Sequence, residues 1–136
     1  MDKYGNRQRL VKDRRARVAR AGTVFIDMQD GVYKVWFSGP GGQSGGAIAL
    51  RGGDILGSDG GYALVGRYSL ALGRLSGRVT CTRLDDSKPN PAFPDGDTFH
   101  LLLEGKPGDS FASLRASVED DPSYSILFEL TRVCEA

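Results

Sequence analysis

The 136-residue sequence predicts an all-β fold in which eight antiparallel strands close into an up-and-down barrel behind a basic N-terminal extension. Three observations carry this reading. From Gly31 onward, apolar and polar residues alternate in short runs rich in β-branched and aromatic residues, the period-two pattern of half-buried strands. Clusters of Gly, Pro, Asp and Ser separate the runs and supply the positive-φ and fixed-φ residues that tight turns require. No helical pattern of about ten residues or more interrupts them, so no crossover helix is present to build a parallel sheet.

Residues 1–27 form the extension. Its first 22 residues carry eight Lys and Arg against two Asp and Glu, whereas the remainder carries ten against fifteen, so a segment of about +6 precedes a body of about −5. The segment is polar and Arg-rich, and it is expected to be flexible. The barrel domain is assigned to residues 28–136, and Met28, just ahead of the first strand, offers an alternative start of translation. Strands are expected at 32–38, 46–51, 54–58, 62–70, 74–84, 98–105, 110–119 and 124–133. Turns are expected at Gly39-Pro40-Gly41-Gly42, Gly52-Gly53, Asp59-Gly60-Gly61, Leu72-Gly73, Lys106-Pro107-Gly108-Asp109 and Asp120-Asp121-Pro122. Between Asp85 and Asp97, with Pro89, Pro91 and Pro94, the chain is too long and proline-rich for a strand and reads as a surface loop.

Alternation then assigns faces. Tyr33, Val35 and Phe37 share one side, as do Ile48 and Leu50; Tyr62, Leu64, Tyr68 and Leu70; and Leu75, Val79 and Cys81. Phe99, Leu101 and Leu103 follow, then Ala112, Leu114, Ala116 and Val118, then Ile126, Phe128 and Leu130. Eight such strands resolve their exposed edges by closing on themselves. Gly66, Gly77, Ala112 and Ala116 are small interior positions, and a barrel of this size either fills itself or keeps room for one small ligand. Tyr33, Phe37, Tyr62, Tyr68, Phe99 and Phe128 are therefore candidate lining residues for a small apolar ligand. On the outer face, Trp36, Leu102 and Leu127 place large apolar groups where solvent is expected. They are candidates for a homodimer interface, or for cover by Val24, Phe25 and Ile26 of the extension.

Motifs for chemistry are weak. The single His100 precludes a two-histidine metal site and is expected at the surface, and no serine sits in a GxSxG elbow. Cys81 and Cys134 have no zinc spacing and are expected to be reduced in the cytoplasm. The glycine-rich stretch from Gly39 to Gly46 lacks the Gly-Lys-Ser/Thr and the helix of a phosphate loop and reads as a hairpin loop. Asp85-Asp86, Asp95 with Asp97, and Glu119-Asp120-Asp121 lack the spacing of a calcium loop. The basic extension lacks interleaved aromatics beyond Tyr4, so nucleic acid is not the expected partner. No apolar run approaches the ~20 residues of a membrane span, and no membrane insertion is expected.

The run Asp30-Gly31-Val32-Tyr33-Lys34-Val35-Trp36-Phe37-Ser38, the turn after it and Gly45-Gly46-Ala47-Ile48-Ala49-Leu50 resemble the opening hairpin of the GrlR-type regulators. These are named for the negative regulator of a type III secretion locus in enteric bacteria. The likeness continues through Gly52-Gly53, the turn at 57–62 and Gly66-Arg67-Tyr68, and runs from about Gly31 to Val133. It implies a lipocalin-like eight-stranded barrel that dimerises, carries no catalytic residues or cofactor, and acts by binding a protein such as a transcriptional regulator. The surface run of four alternating Glu and Asp that serves the best-known member has no counterpart here; the nearest acidic run, Glu119-Asp120-Asp121, belongs to a turn. The expected function is thus a cytoplasmic, non-enzymatic adaptor of undetermined protein partner, with an apolar-ligand-binding barrel as the alternative.

Overall fold

The computed structural model describes residues 16–18, 24–26 and 28–136. The expectation of a flexible extension falls largely on residues outside these. Within it, β1 (Ala16–Val18) and β2 (Val24–Ile26) pair antiparallel as a separate two-stranded sheet. The remaining strands are β3 (Gly31–Gly39), β4 (Gly42–Arg51), β5 (Asp54–Ser58), β6 (Tyr62–Ala71), β7 (Arg74–Arg83), β8 (Thr98–Lys106), β9 (Phe111–Val118) and β10 (Asp121–Cys134). Each pairs antiparallel with the next, and β10 returns to pair with β3, closing an eight-stranded up-and-down barrel. No helix occurs among the described residues.

Two strands begin earlier than alternation suggests. Gly42–Gly46 belongs to β4 rather than to a loop, because Gly39 pairs with Gly42 and leaves only Pro40 and Gly41 to turn the hairpin. The last strand starts at Asp121, with an irregularity between Asp121 and Ser125 where its pairing with β9 shifts register. Bulges of this kind bend a strand locally.

The inward residues form one core. Tyr33, Val35, Phe37, Leu64, Leu101, Ile126 and Leu130 are almost completely buried, and Ile55, from a strand too short to show alternation, joins them. Tyr68 and Leu70 are only partly buried, packed against this core near the rim.

Both barrel ends are closed by non-strand segments. At one end, Met28 and Gln29 are buried. Gln29 O accepts from the Tyr33 hydroxyl at 2.7 Å, its Nε2 donates to Asp109 at 2.5 Å, and Arg132 Nε donates to Asp30 O at 3.0 Å. At the other end lies the segment between β7 and β8, and here the expected surface loop is corrected. Its flanks are exposed, but Asn90, Ala92 and Phe93 turn inward and are buried. A phenyl ring at the mouth of an apolar barrel gains about 2–3 kcal/mol by leaving water, which favours folding a proline-rich loop over the opening.

Candidate functional site

Two surfaces of a barrel can carry function, the lumen and the outer wall. The lumen is filled. Phe93 enters it edge-on against Phe37, Tyr62 and Phe99, with centroid separations of 5.0, 5.3 and 5.5 Å. Phe128 packs on Phe37 at 4.8 Å. Edge-to-face aromatic packing of this kind adds about 0.5–1.5 kcal/mol per pair beyond area burial. An internal pocket bounded by apolar side chains and Tyr68 has a volume of about 10 Å³. That is the room of a single water, against about 300–1,000 Å³ for sites that hold drug-sized ligands.

The six aromatic residues expected to line a ligand cavity are therefore distributed as follows. Phe37, Tyr62, Phe99 and Phe128 belong to the aromatic cluster with Phe93. Tyr68 and Phe128 border the internal pocket, and Tyr33 lies at the far end against Gln29. Burial pushes the Tyr33 hydroxyl well above its ordinary pKa, only partly opposed by Arg132. Burial likewise raises Tyr62, whose hydroxyl donates to Gly96 O at 3.0 Å and whose ring lies 4.9 Å from the Arg83 guanidinium. Phe93 is the residue that alternation missed. Its signal in the sequence was a lone aromatic between Pro91 and Pro94 in an otherwise polar loop.

The closing loop is latched by polar groups. Asn90 Oδ1 accepts from Ser44 Oγ at 2.6 Å and from the Ala92 N–H at 2.9 Å, while Asn90 Nδ2 donates to Asp59 Oδ2 at 2.5 Å. Tyr124 donates to Ala92 O at 3.1 Å.

On the outer wall Trp36, Leu102 and Leu127 are exposed at 45, 42 and 40 %. Trp36 stands opposite Glu129, and Leu127 opposite Ser38, so the two are diagonal neighbours across β3 and β10. Leu102 lies on β8, opposite Ser117, with β9 between it and Leu127. Leu56 and Val65, directly opposite each other on β5 and β6, and Phe111 on β9 are further exposed apolar groups on the wall. His100 is half-buried on this wall, its Nδ1 3.0 Å from Thr80 Oγ1. Among the described residues no group of three or more His, Cys, Asp or Glu is placed to hold a metal ion. No protein-family model matches the chain, and no curated protein matches it closely.

Proposed function

We propose that this barrel is a cytoplasmic adaptor that binds another protein through its outer wall. The observation that carries the reading is the contrast between the two surfaces: the apolar pocket inside the barrel has a volume of about 10 Å³, while Trp36, Leu102 and Leu127 stand at least 40 % exposed. Large apolar side chains held outward on a rigid sheet are what a partner desolvates at the centre of an interface. The strand-turn resemblance to the GrlR-type regulators supports the same reading, since it implies a barrel that works by protein contact.

Site-specific photo-crosslinking tests it. A benzophenone amino acid introduced at Trp36, Leu102 or Leu127 and irradiated in native cells should give a covalent adduct with one protein, identified by mass spectrometry. Absence of an adduct at all three positions, with a small molecule retained by the purified protein, would overturn the proposal.

A further inference from the structure

The wall is unevenly charged, and one open groove on it combines charge with apolar surface. The groove, of about 660 Å³, runs across the outer side of β8, β9 and β10, next to the start of β7, and its walls include Arg74, Glu104, Lys106, Phe111, Arg115 and Leu127. Register explains the shape. Lys106 stands opposite Ser113, and Glu104 opposite Arg115, which in turn faces Leu127 across the next ladder. The small Ser113 leaves a depression between the longer side chains, and Phe111 and Leu127 flank it with exposed apolar surface.

The charges there do not cancel. Glu104 lies 3.7 Å from Arg115, and among the described residues neither Arg74 nor Lys106 makes an ion pair. Even with Glu129, opposite Ser113 on β10, cations outnumber carboxylates three to two. The loop-closed end of the barrel has the opposite character, with Asp59, Asp85, Asp86, Asp95, Asp97, Glu119, Asp120 and Asp121 against Arg83 and Lys88. A negatively charged segment approaching this molecule is repelled from that end and steered toward the groove.

We infer that the groove is the docking site for an acidic segment of the partner protein that carries large apolar side chains, its carboxylates meeting Arg74 and Lys106 and its apolar groups covering Phe111 and Leu127. The inference rests on the protein-binding reading and names the chemistry of the partner. Cation stems and aromatic edges together favour such a segment, because the methylenes of Lys and Arg extend the apolar floor while their charged heads remain at the rim.

The test uses the full chain and three fluorescein-labelled synthetic peptides with one apolar pattern of Leu and Phe, interspersed with Asp and Glu, with Ser and Gln, or with Lys. The acidic peptide should bind saturably and more weakly as salt rises, with amide shifts confined to β8–β10. Arg74→Glu with Lys106→Glu should weaken it at least about tenfold and reverse the preference toward the Lys peptide. Leu127→Ser, an exposed change that leaves the fold intact, should weaken all three. Equal binding of the acidic and neutral peptides, shifts on another face, or sedimentation showing the groove buried between two copies of this chain would each overturn the inference. A photo-crosslinked partner contacting a different face would also overturn it while leaving the protein-binding reading standing. That reading fails separately, by the absence of any crosslinked protein at the three positions together with a small molecule retained by the purified protein.

Discussion

Asn90 joins three segments that are far apart in sequence: Ser44 of β4, the turn at Asp59 and the closing loop itself. Asp59 Oδ1 in turn accepts from the Gly61 and Tyr62 N–H groups at 2.8 and 2.7 Å, so one amide and one carboxylate hold the barrel mouth. Asn90→Ala should cost about 1–3 kcal/mol, because the Ala92 N–H loses its partner in a buried site. Asn90→Asp should cost more at neutral pH, since it sets a second carboxylate against Asp59. The excess should shrink as pH falls through the carboxylate range, where the pair shares a proton. Urea unfolding of both variants at pH 7 and pH 4 checks this, and equal penalties at both would contradict it. Cys81 provides a second residue-scale test. Burial pushes its thiol up to about 12 from 9.0. A raised folded-state pKa stabilises the protein fully below the unfolded value, and that contribution is lost as pH rises toward the folded one. Between about pH 9 and 12, stability should fall by up to about 1.4 kcal/mol per pH unit from this group, with Tyr33 adding to the loss above about pH 10. A Cys81→Ala variant should show a shallower decline. A thiol reagent at pH 8 should label exposed Cys134 alone in the native protein and both cysteines in urea.

At the scale of elements, the strands were legible where period-two alternation survives, which excludes the first residues of β4 and β10, and most turns because Gly and Pro mark them. The β9–β10 turn falls at Glu119-Asp120, which has neither, and Pro122 lies within β10. The closing loop was not legible. Alternation has no meaning outside a strand, so nothing in the spacing of Asn90, Ala92 and Phe93 announced that they turn inward. The glycines of the β3–β4 hairpin were readable as turn residues, but the loop adds a second demand on them. A Cβ on Gly39 would stand 2.2 Å from Ala92 O, and one on Gly41 2.7 Å from Pro91 O. On the neighbouring turn, a Cβ on Gly61 would meet Lys88 O at 2.2 Å. These positions are bare so that loop backbone can lie directly on hairpin backbone. Gly39→Ala should therefore destabilise by about 1–3 kcal/mol by forcing the loop outward. In a Phe93→Ala background, which itself costs about 3–5 kcal/mol, the Gly39→Ala penalty should shrink by more than about 0.5 kcal/mol. A double-mutant cycle measures the coupling, and strict additivity would show that the hairpin and the plug are independent.

For the molecule as a whole, closure followed from counting strands that each need a partner, and the filled lumen was the feature that counting could not reach. Whether small interior positions leave a hole depends on what comes in from the ends, and here Met28 and Phe93 do. The outer wall was legible residue by residue but not as a surface. Alternation placed Trp36, Leu102 and Leu127 outside, whereas the register that sets Lys106 beside Ser113 and Arg115 beside Leu127 came only with the ladders. One of those ladders also bears on how the protein forms. Seven of the eight barrel ladders join strands consecutive in the chain, but β3 meets β10, and Val35 faces Leu130 about 95 residues away. A contact so distant in sequence bears the largest loop-closure entropy and forms after the hairpins have shortened the effective chain. Truncating Val35 or Leu130 to Ala should thus accelerate unfolding and leave the refolding rate nearly unchanged. Leu64→Ala, in the local β6–β7 hairpin opposite Cys81, should slow refolding. Stopped-flow chevrons distinguish the two, and slower refolding of the Val35 variant would place closure early. With closure late, the β3–β10 pairing is a seam: the last to be sewn during folding and the first to part when the barrel opens.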